Sequence, residues 1–185
     1  MDVTKDIFYS HQSLAILFSL INKLQVQGDK ALQDLTIRQM LAVPAIIHAP
    51  DGGATINHIA RQLGTSKQSA KQIVTALERK QYLSVVPSEA DKRAVSITIT
   101  SEGELAFRQC LNRTDAFLAE LFHEFSTEDL ETLWALLTKL MRYDGIAHER
   151  TPEHMGHNAS DILRYHPQFL KRRTAPYEKG DDTHE

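Results

Sequence analysis

Residues 56–83 have the sequence INHIARQLGTSKQSAKQIVTALERKQYL, and this stretch decides the fold. Its apolar residues recur at helical spacing in two segments, which predicts two short helices separated by a tight turn. Thr55 precedes the first segment as an N-cap, and Gly64 follows it where a left-handed glycine ends a helix. Thr65 or Ser66 caps the second segment. Two helices joined in this way predict a helix-turn-helix motif.

The second of these helices is amphipathic. Its apolar face is predicted to be buried and consists of Ala70, Ile73, Val74 and Leu77. The opposite face carries lysines, amides and hydroxyls. Such faces are usually only solvated, but glutamine amides can pair with adenine, lysines can reach guanine or phosphate, and serines can bond phosphate oxygens. The predicted DNA-contacting residues of this helix are Ser66, Lys67, Gln68, Ser69, Lys71, Gln72 and Thr75.

A pair of strands is predicted directly after the second helix. Residues 82–86 and 94–100 are rich in β-branched and aromatic residues, and the second segment alternates as VSITIT. Residues 87–93 between them form a polar loop, which indicates a two-stranded hairpin. A hairpin that follows a helix-turn-helix predicts a winged helix.

Two helices are predicted before this unit. Apolar residues over 7–24 indicate a long helix buried on more than one side, which Gly28 and Asp29 close. Residues 35–48 predict a second helix that Pro44 bends or shortens, and residues 49–54 predict a turn.

Two further helices are predicted after the hairpin. Ser101 is predicted to cap a long helix that ends near Phe125, and Ser126 begins another in a variant of the capping box. These helices have more apolar faces than a winged helix needs, so we expect them and the first helix to pack against an identical subunit.

The predicted fold class is mainly α with a small β-hairpin wing, a winged helix-turn-helix with long dimerisation helices. The predicted division of the chain is an N-terminal dimerisation helix (1–34), the winged helix-turn-helix DNA-binding domain (35–100), C-terminal dimerisation helices (101–145) and a C-terminal extension (146–185).

The charge is distributed unevenly along the 185 residues. The net charge is −3, which alone argues against nucleic acid, yet residues 53–100 hold seven basic and three acidic residues. This segment therefore carries +4 and the remainder carries −7. Since binding to DNA depends on the potential at the contact surface, a basic middle segment is compatible with it.

Several classes of protein are not expected. The chain contains neither a basic and apolar signal segment nor an apolar run of about 18 residues, so neither secretion nor a membrane span is predicted. The single cysteine excludes an intrachain disulfide. No nucleophile elbow, P-loop, dinucleotide fingerprint or His-Glu-x-x-His motif occurs, so we expect no enzyme activity, cofactor or metal.

The stretch at residues 56–83, together with DKRAVSITITSEG at residues 91–103, resembles the MarR (multiple-antibiotic-resistance regulator) family of bacterial transcription factors. The similarity extends over residues 35–145, and residues 7–24 fit the family's first helix. The second motif is the more specific, because an Asp-x-Arg wing followed by alternating strand residues and S/T-x-x-G seldom arises by chance.

The resemblance implies a homodimeric cytoplasmic regulator, expected to be a repressor, that binds a pseudo-palindromic operator in double-stranded DNA. It implies that the second helix of the motif enters the major groove. Arg93, with Lys92 beside it, would reach the adjacent minor groove, and Asp91 would hold the wing in place. Family members often release DNA when a small aromatic or anionic effector binds between the dimerisation helices and the winged helix.

The sequence departs from the family in two places. Gln81 stands where the family usually has glycine, which requires a left-handed backbone or a different exit from the helix. Ser84, Val85 and Val86 stand where the family commonly has basic residues, which predicts fewer phosphate contacts.

Alternative functions remain open at this point. A winged helix can bind protein instead of DNA. Cys110 could act as a redox sensor, but its apolar neighbours favour an inert thiol. A metal-responsive regulator would need ligands, and the spacing of His148, His154 and His157 with Glu149 and Glu153 fits no established site.

Overall fold

The computed structural model describes residues 2–49, 53–87 and 95–143. These ranges contain helices α1 (Val3–Leu32), α2 (Ile37–Ile47), α3 (Ile56–Gln62) and α4 (Lys67–Arg79), strands β1 (Leu83–Pro87) and β2 (Val95–Ile99), and helices α5 (Ser101–Leu121) and α6 (Thr127–Met141). The described part is mainly helical, and its two strands form an antiparallel hairpin. The predicted fold class is confirmed.

Helix α1 is longer than the sequence predicted. The prediction closed it at Gly28 and Asp29, which was wrong, because the helix continues to Leu32. Gly28 is buried inside the helix, and a Cβ there would lie 2.7 Å from Ile37 Cδ1. Asp29 caps the next helix, since its Oδ1 accepts a 2.7 Å hydrogen bond from the backbone N–H of Ile37. Both residues therefore pack α1 against α2 instead of ending α1.

Most of α1 is exposed in the single chain, so the prediction of burial on more than one side was wrong for the chain by itself. Only Gly28 and Leu32 are buried, and both lie at the end that packs against the rest of the chain. The exposed large apolar residues of α1 are Val3, Ile7, Phe8, Tyr9, Leu14, Ile16, Phe18, Leu20, Ile21 and Val26.

Helix α2 begins with a capping box. The Thr36 hydroxyl accepts a hydrogen bond from the Gln39 backbone N–H, and the Gln39 side chain accepts one from the Thr36 N–H. The helix continues past Pro44 to Ile47, so the proline lies within it and does not end it. The buried face of α2 packs against α3 and the hairpin.

The helix-turn-helix has the predicted caps. Thr55 and Ser66 are the N-caps of α3 and α4, and each hydroxyl accepts a hydrogen bond from a backbone N–H in the first helical turn. Gly64 follows α3 with φ +58°, the left-handed conformation that glycine adopts without strain. These local signals explain why the motif could be predicted from sequence.

The backbone that follows α4 shows how Gln81 replaces the glycine that the MarR family usually has at this position. Gln81 has a left-handed backbone with φ 60°. Its N–H donates to Glu78 O at 2.8 Å, and the N–H of Tyr82 donates to Leu77 O at 3.0 Å. These two hydrogen bonds form a Schellman motif, which glutamine supports here in the place of glycine.

The hairpin pairs β1 with β2, with Leu83 opposite Ile99 and Pro87 opposite Val95. Ile97 is fully buried at its centre. The sequence predicted a turn over residues 49–54, but Ala54 forms a bridge to Ile97, with backbone hydrogen bonds of 3.1 and 2.9 Å. The hairpin is therefore attached to the segment that precedes α3.

Helix α5 is capped one residue earlier than predicted. Thr100 is the N-cap instead of Ser101, and its hydroxyl accepts a 3.0 Å hydrogen bond from the N–H of Gly103. The helix ends at Leu121, with Phe122 as its C-cap, before the predicted Phe125.

Helix α6 has the predicted capping box. The side chain and the backbone N–H of Ser126 both donate to the Asp129 carboxylate, which keeps the pKa of Asp129 below its ordinary value of 3.8. This contribution to stability is present above that value and is lost as the pH falls through the lower pKa of the folded chain. No residue of α6 is buried in the single chain.

A single hydrophobic core underlies the winged helix. Ile59, Leu77 and Ile97 are fully buried in it and come from α3, α4 and β2. Leu32 and Phe107 join the same core from α1 and α5. The core therefore fixes α4 with its apolar face inward, and its polar face is left on the surface. No helix in the described ranges is long and apolar enough to cross a membrane.

Candidate nucleic-acid interface

Helix α4 presents its polar residues to solvent. Ala70, Ile73, Val74 and Leu77 are buried, as predicted. Of the predicted contact residues, Ser69 and Thr75 are half-buried, and the exposed ones are Ser66, Lys67, Gln68, Lys71 and Gln72. The structure therefore brings these side chains together on one accessible helix face.

The positive charge of this face is not neutralised within α4 until its last turn. Lys67 and Lys71 lie one turn apart, and the only acidic residue of α4 is Glu78. A face of this kind attracts an anionic partner over the Debye length, which is about 8 Å at physiological ionic strength.

The first turn of α4 is held by its serines. Ser66 Oγ accepts a 3.1 Å hydrogen bond from the Ser69 N–H, and its own hydroxyl donates to Ser69 Oγ at 3.0 Å. The Ser66 hydroxyl is thus engaged in capping, whereas the Ser69 hydroxyl keeps its proton for an acceptor outside the helix. Of the two serines, Ser69 is the better donor to a phosphate oxygen.

Arg38 is a basic residue beside the helix-turn-helix that the sequence prediction missed. Its Nη2 donates a 3.1 Å hydrogen bond to Thr65 Oγ1 in the turn between α3 and α4, and the residue is exposed. The signal that could have found it is its place on α2. Arg38 is the only charged residue of a helix whose other face is buried, so it must point outward.

The wing is only partly described. The predicted wing residues Asp91, Lys92 and Arg93 lie outside the described residues. At the described end of β1, Val86 is 49% exposed, and the segment Leu83–Pro87 contains no basic residue. The positions at which the sequence lacks the family's basic residues therefore lie on strand β1 of the hairpin.

Cys110 lies on α5, belongs to the hydrophobic core and is 2% exposed. Burial raises the pKa of its thiol above the ordinary value of 9.0, and this outweighs the lowering by the Thr114 hydrogen bond and by Arg113. Since the thiolate is the reactive form, an inert thiol is favoured over a redox sensor.

Metal ligands are not clustered in the part of the chain that the structure describes. His148, His154 and His157, with Glu149 and Glu153, lie outside it.

The part of the sequence that forms this arrangement is similar to a known protein family. A model of the MarR family matches residues 33–94, which include α2, the helix-turn-helix and β1. Over these residues the chain is similar to the MarR family. The family consists of DNA-binding transcriptional regulators, which are not enzymes.

Several known proteins align with this chain over most of their own length. BadR of Rhodopseudomonas palustris, a transcriptional activatory protein, is 26% identical over 129 residues, which are 68% of this chain and 74% of BadR. MepR of S. aureus, solved in complex with DNA, has a TM-score of 0.61 and 26% identity, covering 69% of this chain and 95% of MepR. BpsR of Bordetella bronchiseptica, studied for regulation of its DNA binding by 6-hydroxynicotinic acid, shares the fold with a TM-score of 0.62 and 16% identity, covering 69% of this chain and 91% of BpsR.

Proposed function

We propose that this chain is a homodimeric regulator of the MarR type that binds a pseudo-palindromic operator in double-stranded DNA. Residues 35–100 would form the DNA-binding domain, and residues 1–34 and 101–145 would form the dimer. The exposed basic face of α4 carries the proposal, because it presents lysine and amide groups on a helix of the size that enters a major groove.

The side chains of α4 suit the two kinds of DNA contact. Gln68 and Gln72 lie one helical turn apart, so both amides can reach base edges along one groove. Lys67, Lys71 and Ser69 would contact guanine or phosphate, with Thr75 further along the face. In the wing, we propose that Arg93 enters the minor groove with Lys92 beside it, and that Asp91 orients Arg93.

The dimer is proposed from the apolar surface that the single chain leaves exposed. Phe18 and Ile21 of α1 are 64% and 57% exposed, and Trp134 and Leu136 of α6 are 49% and 60% exposed. Helix α1 is about 45 Å long, so its exposed residues form a patch much larger than a monomer usually leaves in water. Association through α1, α5 and α6 with a second copy would bury this patch.

The DNA proposal predicts a specific effect of Lys71→Ala. We expect about tenfold weaker binding to a duplex that the wild-type chain selects from a randomised library, because one cationic contact is lost. We also expect the slope of log affinity against log salt to fall by about one. Fluorescence anisotropy across a salt series measures both quantities.

Lys139→Ala is the matched control, because it removes the same charge from the end of α6. It should leave the salt slope unchanged. If Lys71→Ala bound like the wild type at every salt concentration, the role of α4 would be wrong. If the wild-type chain selected no duplex even at low salt, the alternative of a protein-binding winged helix would replace the proposal.

We further propose that a small aromatic or anionic effector releases the DNA. The support is BpsR, whose DNA binding is regulated by 6-hydroxynicotinic acid. Release requires that the effector bind the free dimer more tightly than the DNA-bound dimer.

The effector proposal predicts that at least one compound in a panel of aromatic carboxylic acids raises the melting temperature of the free protein. The same compound should lower its affinity for the selected duplex. By linkage, saturating DNA must weaken the binding of that compound by the same factor. A panel in which compounds stabilise the protein equally with and without DNA would contradict release by these effectors.

The direction of regulation has two candidates. Repression follows from release of DNA by an effector and is the direction we propose. Activation is the second candidate, because BadR is a transcriptional activatory protein. Transcription in vitro from a promoter that carries the selected duplex, with and without the protein, distinguishes a fall from a rise in transcript.

A further inference from the structure

The C-terminal end of α4 is tied to the rest of the chain on two sides. On one side, Lys80 Nζ donates a hydrogen bond to the backbone O of Asp34, in the turn between α1 and α2. On the other side, Thr100 Oγ1 donates a 2.6 Å hydrogen bond to Gln81 O. The C-terminal end of α4 is therefore hydrogen-bonded to the segments that lead into α2 and α5.

The side chain of Asp34 extends this network to α5. Arg113 Nη1 lies 2.8 Å from Asp34 Oδ2 and also donates a 3.2 Å hydrogen bond to Leu32 O at the end of α1. One turn thus joins the C-terminal ends of α1 and α4 to the middle of α5. We call the group of Leu32, Asp34, Lys80 and Arg113 the Asp34 corner.

We infer that the Asp34 corner positions α4 relative to the dimerisation helices, and that Asp34 and Arg113 are positioning residues for DNA recognition. The inference rests on the proposed binding of DNA through α4. None of the four residues belongs to the predicted DNA-contacting set, and Lys80 caps the end of α4 opposite to Ser66 and Lys67.

The length of α4 makes its orientation sensitive to this corner. The helix has 13 residues, so its two ends are about 20 Å apart. A tilt of about 6° at the corner would move the other end by about 2 Å, which is more than half of the rise of one base pair. In a dimer the two α4 helices must match two half-sites about 10 base pairs apart. A loosened corner would therefore relax the preference for one half-site spacing.

The corner contributes little to folding stability, which separates its positioning role from a structural one. The side chains of Arg113 and Asp34 are 38% and 71% exposed. Exposed ion pairs of this kind add little to the free energy of unfolding. Replacing either residue should leave the melting temperature close to that of the wild type.

The test uses the full chain and the duplex that the wild type selects, together with duplexes whose half-site spacing is one base pair longer or shorter. Asp34→Ala and Arg113→Gln should each bind the selected spacing about tenfold more weakly. Binding to the altered spacings should change little. Both variants should remain dimers with unchanged melting temperatures.

The opposite charge changes of the two variants exclude a simple electrostatic effect. Loss of Asp34 makes the chain more positive, whereas loss of the Arg113 charge makes it more negative. Electrostatics alone would tighten DNA binding in the first variant and weaken it in the second. The inference instead predicts weaker binding and relaxed spacing in both. Asp34→Asn keeps an oxygen that can accept from Arg113, so it should retain most of the spacing preference.

Arg108→Gln is the matched control, because Arg108 pairs with Glu104 within α5 alone, at 3.7 Å. It should keep the spacing preference of the wild type. Wild-type selectivity or tighter binding in Asp34→Ala would overturn the inference while leaving the DNA proposal intact. Failure of the wild-type chain to select any duplex would overturn both, and this outcome is visible before any variant is made.

Discussion

The substitution Phe18→Glu on α1 is expected to convert the dimer to monomers and to abolish operator binding at the concentrations where the wild type binds. Phe18 is 64% exposed in the single chain and shares a stripe with Leu14, Leu17 and Ile21 at helical spacing. In a symmetric dimer each substitution occurs twice. Loss of two buried phenylalanines costs about 4 kcal/mol, which raises the dissociation constant of the dimer about a thousandfold.

The introduced glutamate adds to this effect, because a carboxylate without a partner is costly to bury in an apolar interface. Monomers would bind each half-site independently and lose the gain in effective concentration that a dimer provides. Sedimentation equilibrium measures the association, and anisotropy measures the binding of DNA. Both losses should occur together.

Ser19→Glu is the matched control for Phe18→Glu. It introduces the same charge one residue further along α1, about 100° around the helix axis from Phe18 and one turn before Lys23. It should remain dimeric and bind DNA like the wild type. A Phe18→Glu chain that stayed dimeric would show that the α1 stripe lies outside the interface.

The winged helix could be predicted because its signals are local. The caps at Thr55 and Ser66 and the left-handed Gly64 each depend on residues within a few positions. The apolar periodicity of α4 also identified its exposed face, since one buried stripe leaves the opposite side in water. The identity of the DNA contacts stays a prediction, and Arg93 lies outside the described residues.

Several of the incorrect expectations depend on contacts between different segments of the chain. Gly28 resembled a helix end, but it is required by Ile37, which packs against it from the next helix. Ala54 resembled a turn residue, but it pairs with Ile97 after two intervening helices. The Asp34 corner joins residues 79 positions apart, so no local pattern could signal it. Burial of α1 was predicted from the helical spacing of its apolar residues, which does not distinguish a partner subunit from the same chain.

The substitution Gly103→Ala is expected to destabilise the fold by about 3 kcal/mol, although helix propensity alone predicts a gain. Gly103 lies in the first turn of α5, where alanine is intrinsically better by about 1 kcal/mol. However, a Cβ at this position would lie 2.1 Å from Tyr82 O and 2.9 Å from Tyr82 C. These are backbone atoms of the α4 exit and cannot rotate away. The start of α5 would have to move, which would strain the bonds of Thr100 to Gln81 O and Gly103 N.

Gly64→Ala separates this steric effect from backbone strain. Gly64 has φ +58°, but a Cβ there would have no atom within 4 Å. Its cost should be limited to the left-handed conformation, about 1 kcal/mol. Urea unfolding of the two variants measures both free energies, and the larger loss should occur in Gly103→Ala. Because the displaced segment carries the exit of α4, this variant should also bind the selected duplex more weakly. Equal or greater stability of Gly103→Ala would mean that α5 can move away from Tyr82 without cost, and the close packing of these two segments would then not fix the position of α4.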